Sequence, residues 1–282
     1  MNRRSEVPTR IPRPAIGESL LAKRDHVVIN YHVSGRGETV ILLPAFARAA
    51  SDYNELAASL NERGYRTVAV ELRGMGQSIS PVFPRASMHD FAADVAHVIS
   101  ALDNLVGGKA HVVGRAFGAR VARTLAADHP HLVRSVVLLA GGGAIGVRKS
   151  GLMRYAICNM RFMPRGWRVG STKATLYAPG NEPPPHLVYR HSLRAVRRQF
   201  FALRTPLEEV WRGRATPILW VHGEDDVLVP LANVHAWCDR FPEQVKLVLI
   251  PQAGHALIPE QPEAVLEAIV AFLREHGLKE AD

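Results

Sequence analysis

Gly114-Arg115-Ala116-Phe117-Gly118 has the layout of a G-x-S-x-G nucleophile elbow. A short apolar run, Ala110-His111-Val112-Val113, leads in, and a helix-like stretch from Ala119 to Asp128 leads out. Strand, sharp turn and helix together present the central side chain for nucleophilic attack. The flanking glycines suit a turn so tight that neighbouring Cβ atoms would clash. The central residue, however, is Ala116, which has no oxygen, sulfur or proton to give. Three further positions that could carry chemistry each follow an apolar run: Phe46, Asp226 and His255.

The elements that must position these residues can be read in chain order. Residues 1–20 are rich in Pro and Arg without periodicity, and a loose arm is expected to about residue 24. Strands are expected at 27–33, 40–43, 67–70, 110–113, 135–140, 217–221 and 245–250. The continuous apolar runs among them, such as 40–43, fit strands buried on both faces of a parallel sheet. Asp52 is placed to cap a helix ending near Gly64, and Ser87 or Asp90 to start one reaching about Leu105. Further helices are expected from Ala119, from Leu231 and from Pro262. Strands alternating with helices predict an α/β protein with a mostly parallel sheet covered on both faces. Phe46, Ala116, Asp226 and His255 all fall after strands, where open α/β sheets bind ligands.

The alternation breaks at residues 144–214, which contain Pro164, Pro179 and Pro183 to Pro185. This stretch is expected to be a helical lid inserted into a core made of 25–143 and 215–282. Within it, Tyr189, Leu193, Val196, Phe200 and Leu203 recur at helical spacing, with Arg190, Arg194, Arg197 and Arg198 off the stripe. The stripe reads as packing surface.

The net charge of +9 is concentrated. Residues 148–214 hold 14 Lys/Arg against 3 Asp/Glu, and the remainder 21 against 23. Such a segment could attract an acidic ligand, a membrane or nucleic acid; a solvated arginine face is the plainer reading, and neither membrane nor nucleic acid is expected as a partner. No apolar run reaches the roughly 18 residues that span a bilayer. Arg3-Arg4 is followed by prolines rather than an apolar stretch, so no twin-arginine signal is read there. Cys158 and Cys238 show no metal-type spacing, and a reduced, cytoplasmic setting is expected.

Four pieces stand in one order: Glu71-x-Arg73-Gly74-x-Gly76-x-Ser78, the elbow, Gly223-x-x-Asp226-x-x-x-Pro230, and Gly254-His255 followed by Glu260-x-Pro262. Together, over roughly residues 25–275, they resemble the α/β-hydrolase fold superfamily. The resemblance implies that Asp226 is the acid and His255 the general base. It also implies an oxyanion hole formed by the backbone N–H groups of Phe46 and Phe117. No cofactor and no metal is expected. Asp225 is an adjacent rival for the acid, disfavoured by its spacing from Gly223. Arg73 and Ser78 read as structural, and His111 and His222 as packed. Departures from the family pattern are Pro44-Ala45 in place of His-Gly, Arg115 where His is frequent, and Ala116 itself. Arg115 either holds an anionic substrate group or pairs with an acid behind the elbow.

Ala116 admits three accounts. The chain is a serine hydrolase with Ser replaced by Ala; or a natural member using His255 and Asp226 without a covalent step, to activate water or to deprotonate the substrate; or a ligand-binding descendant. Departures beside the elbow favour the second, and the retained acid and histidine weigh against the third. The substrate is expected to be a small organic molecule. The lid arginines admit an acidic one, and Trp167, Tyr177, Phe200, Phe201 and Trp211 an apolar or aromatic one.

Overall fold

The computed structural model describes residues 13–83, 85–142, 155, 158, 163–183, 193–211 and 216–278. Eight strands form one sheet: β1 Glu18–Arg24, β2 Val27–Gly35, β3 Thr39–Leu43, β4 Arg66–Val70, β5 Ala110–Arg115, β6 Val133–Leu139, β7 Ile218–Gly223 and β8 Val245–Ile250. Their spatial order is β1-β2-β4-β3-β5-β6-β7-β8. β2 pairs antiparallel with β1 and β4, and every other pairing is parallel.

The helices are α1 Asn54–Glu62, α2 Met88–Ser100, α3 Phe117–Asp128, α4 Arg165–Leu176, α5 Leu193–Ala202, α6 Leu207–Val210, α7 Leu231–Arg240, α8 Leu257–Glu260 and α9 Pro262–Glu275. Residues of α2, α3 and α7 bury one face of the sheet, and those of α1 and α9 bury the other. With helices on both sides, β3, β5 and β7 are buried at every position, which is why Val40 to Leu43, Val112-Val113 and Ile218 to Val221 read as continuous apolar runs.

The chain reverses its winding between β3 and β5. α1, which follows β3, lies on one face, and α3, which follows β5, lies on the other. The loops leaving these neighbouring strands diverge and open a crevice at their carboxyl ends, the usual ligand site of such sheets.

Three expectations change. The arm is shorter than expected, because Glu18–Arg24 is a strand paired with Val27 to Val33. Asp52 does not cap α1; its carboxylate pairs with Arg48 instead. Third, the apolar stripe on α5 faces inward only in part: Val196 packs beside Met75 and Ala195, but Phe200 is 52% and Leu203 38% exposed, while Ala195, Gln199 and Ala202 are fully buried. Contact explains the rotation. A Cβ on Gly74 would sit 2.7 Å from the Ala195 nitrogen, so this face of α5 must carry a small residue where it meets the 74–75 backbone. Tyr189 and Arg190 lie outside the described residues. Ser87 does start α2, through a capping box with Asp90.

Candidate active site

β5 ends at Arg115 and α3 begins at Phe117, leaving Ala116 alone in the turn with φ 48° and ψ −101°. Positive φ costs a residue with a Cβ roughly 1–2 kcal/mol. The turn holds because its surroundings leave no alternative. A Cβ on Gly114 would lie 2.3 Å from the Gly118 carbonyl oxygen, and one on Gly118 would lie 2.1 Å from that of Leu43. The Ala116 N–H donates to the Leu139 carbonyl at 3.0 Å, tying the turn to the end of β6. Phe117 N–H is the first of α3 and belongs to the helix's unpaired positive end.

Phe46 follows β3, next to β5 in the sheet, and its ring meets that of Phe117 edge to face at 5.9 Å. The two residues assigned to the oxyanion hole, 71 positions apart, are therefore neighbours. Beside Phe46, Ala47 has φ 54°, and its N–H donates to Gln199 Oε1 of α5 at 2.6 Å. The Gln199 Nε2 is buried without a partner among the described residues.

At the ends of β7 and β8, His255 Nδ1–H donates to Asp226 Oδ2 at 2.8 Å. Asp226 Oδ1 accepts from the N–H groups of Leu228 at 2.9 Å and Val229 at 2.8 Å. Burial pushes the Asp226 carboxyl up, but His255, His222 and the Val229 N–H more than offset it, and the group is held below the ordinary carboxylate range. An ionised carboxylate only accepts, so it keeps the His255 proton on Nδ1 and leaves Nε2 with a lone pair able to accept one. Asp225 is not the partner. His222 Nε2 lies 3.4 Å from Asp226 Oδ2 and donates to the Val229 carbonyl at 2.9 Å. Burial keeps the His222 imidazole below its ordinary pKa, so it stays neutral near pH 7.

Glu260 links the histidine loop to the insertion. One carboxylate oxygen accepts from Gly254 N–H at 2.8 Å; the other accepts from Ala178 N–H at 2.6 Å and Asn181 Nδ2 at 2.9 Å. The Ala256 N–H donates to the Leu176 carbonyl at 2.7 Å. His222, Gln199 and Glu260 thus support the site, though only Glu260 had a sequence signal, as part of a motif.

Arg115 is buried on the α1 side of the sheet, beside the Tyr53 phenol, and makes no ion pair among the described residues. Of its two readings, pairing with an acid behind the elbow finds no acid among the described residues. Arg73 is structural: Nη2 donates to buried Asp94 at 2.9 Å. Ser78 Oγ is also structural, accepting from the Asn30 N–H at 2.9 Å. Among the described residues no cluster of His, Cys, Asp or Glu could hold a metal ion, and no helix is long and apolar enough to cross a membrane. A groove of about 440 Å³ opens at the amino ends of β7 and β8, between Pro217 and His276, and none of the residues above lines it.

A mostly parallel sheet with an acid–histidine pair and a strained strand-to-helix turn at its carboxyl edge defines the hydrolase type of α/β protein. The model of the alpha/beta hydrolase family matches residues 40–268, and the chain belongs to that family. It is 26% identical over 261 residues to the 2-(acetamidomethylene)succinate hydrolase of Mesorhizobium japonicum, covering 88% of this chain and 92% of that protein. It is 25% identical over 270 residues to the 2-hydroxy-6-oxo-6-(2'-aminophenyl)hexa-2,4-dienoic acid hydrolase of Metapseudomonas resinovorans, covering 88% of each. The 2-hydroxymuconate semialdehyde hydrolase of Pseudomonas putida is 27% identical, with 93% of this chain and 95% of that one covered. Among solved structures, an esterase from Exiguobacterium antarcticum superposes with a TM-score of 0.76 at 17% identity, over 92% of this chain and all of that one, a likeness of fold.

Proposed function

We propose that this chain is an enzyme of the hydrolase type acting on a small organic acid, with His255 as general base. The observation that carries the proposal is the Asp226–His255 hydrogen bond, braced by two backbone N–H groups on the other carboxylate oxygen. Nε2 of His255 takes a proton from water or from the substrate, and the imidazolium formed is stabilised by Asp226. The N–H groups of Phe46 and Phe117 receive the developing oxyanion. No covalent intermediate forms at Ala116, which has nothing to attack with. Residues 144–214 act as the lid over this edge of the sheet. Two relatives named for acids, a succinate derivative and a hexadienoic acid, support an acidic substrate.

A second reading draws on the strained φ of Ala116, a geometry useful when a side chain must be presented. On that reading Ala116 stands where a serine would act.

One experiment separates the two. Enamides, esters and oxo-dienoic acids are assayed with the native chain, His255→Ala and Ala116→Ser. Turnover by the native chain that His255→Ala abolishes supports the non-covalent reading. An inert native chain and an acyl-enzyme burst in Ala116→Ser support the second. Tight ligand binding with no turnover by any of the three rejects both.

A further inference from the structure

Four buried donors on one side of the elbow helix have no acceptor among the described residues. They are Arg123 Nη2 and the indole Nε1 groups of Trp211, Trp220 and Trp237. The residues lie together: the Trp211 ring is stacked on Trp237 at 3.9 Å and lies 6.0 Å from Trp220, and the Arg123 guanidinium packs on the Trp211 face, 5.4 Å from the Trp237 ring centre. Arg123 is only 4% exposed and makes no ion pair among the described residues. Burial holds its guanidinium well below the ordinary value, and the charge of Arg120 pushes the same way. Arg120, one turn back on α3, lies against Gly142 at the carboxyl end of β6 and has no ion-pair partner among the described residues either.

Indole and guanidinium nitrogens donate and do not accept. A buried charge is normally paired, and buried polar hydrogens are normally bonded. Stacking on tryptophan compensates part of the charge but satisfies none of these hydrogens. In sequence, residues 143–162 and 212–215 contain no Asp or Glu either. What is missing is a group that is negative and accepts hydrogen bonds at several lone pairs.

We propose that Arg120 and Arg123, with the indole N–H groups around them, form a carboxylate-binding site. Arg120 is four residues and Arg123 seven residues beyond Ala116 on α3, a run of about 10 Å along the helix. The outer guanidinium lies at the sheet edge that holds the elbow, and the inner one lies deeper beneath it. On the acidic-substrate reading above, on which this assignment of the occupant rests, the site takes the substrate's carboxylate. It selects acids over neutral esters and amides.

The test is binding to the full chain, read by tryptophan emission and by thermal denaturation. Succinate is titrated at constant ionic strength against sodium chloride, with inorganic phosphate as a parallel arm. Succinate is expected to change the emission saturably and to raise Tm. Arg120→Gln is expected to weaken that response at least tenfold, and Arg123→Met to abolish it. Arg197→Gln, an exposed control on α5, is expected to leave it unchanged. No saturable response beyond chloride, or an equal response in native protein and Arg120→Gln, overturns the proposal. A response to phosphate but not succinate also overturns it. If Arg123→Met does not fold, Arg120→Gln decides alone. Binding needs no turnover, so His255→Ala is expected to keep the succinate response. Loss of the catalytic reading and loss of this one are therefore observed separately.

Discussion

Gln199 Oε1 accepts a 2.6 Å hydrogen bond from the Ala47 N–H, joining a helix of the insertion to the loop after β3 across 152 positions. Ala47 has positive φ, and the residue before it is Phe46. The bond therefore sets the direction of the peptide beside an assigned oxyanion donor. Position in the insertion and geometry in the crevice are coupled through one amide.

Gln199→Leu removes the acceptor and leaves a buried N–H unpaired, which costs about 1–3 kcal/mol. The expected result is a lower urea midpoint and faster hydrogen exchange at the Ala47 amide. Gln199→Glu keeps an acceptor and is expected to retain more protection at that amide. Unchanged exchange in Gln199→Leu would show that the bond does not hold the loop.

Asp226→Asn keeps the shape of the acid but exchanges one accepting oxygen for a donor. His255 loses the partner that keeps its proton on Nδ1. With a substrate turned over by the native chain, kcat is expected to fall by roughly 10²–10⁴-fold. KM is expected to change little. A drop below tenfold would remove Asp226 from the mechanism.

Gly118→Ala places a Cβ against the Leu43 and Pro44 carbonyl oxygens, at 2.1 Å and 2.7 Å before relaxation. Both are backbone atoms of the adjoining strand end, so α3 must move away from β3. A loss of about 1–3 kcal/mol or more is expected from urea denaturation. Gly166→Ala, where nothing lies within 4 Å, is the control and is expected to be near neutral.

Glu71 is buried, and its Oε2 has no partner. Burial raises its carboxyl from 4.5 to about 7; the Ala50 N–H opposes this and Asp52 adds to it. Between those two values the unfolded chain has released a proton that the folded chain keeps. This contribution to stability is therefore full below pH 4.5, declines as pH rises towards 7, and is level above. Glu71→Gln is neutral throughout and lacks the decline. It is expected to match the native chain at pH 4 and to exceed it at pH 8 by at most about 3 kcal/mol. Equal midpoints at pH 8 would mean that Glu71 is ionised without cost.

Much of the sheet was legible because most of its strands announce themselves locally. β3, β5 and β7 are buried at every position, so apolar residues dominate them, with Thr39, His111, Arg115 and His222 the polar exceptions. The elbow was legible for a related reason: Gly114 and Gly118 answer clashes within a few residues of each other and with the neighbouring strand. β1 was not legible. It is an edge strand with mixed exposure, and its pairing with β2 is what orders it. The buried side of α5 was misread because the apolar stripe at Phe200 and Leu203 implied packing, whereas the approach of Gly74 placed Ala195 inward.

By itself, then, the amino-acid sequence determined the order of the strands and helices from Val27 to the elbow helix and after the insertion, the place of the turn at Ala116, and the loops carrying Asp226 and His255. These depend on periodicity and on residue types a few positions apart. Tertiary structure alone decided that His222 stands behind the Asp226–His255 pair and that Gln199 reaches Ala47. It alone gathered Arg123 with Trp211, Trp220 and Trp237, which come from four separate segments. Such contacts follow from how whole elements pack against one another, and no local pattern records which distant side chain will fill the space beside a given one.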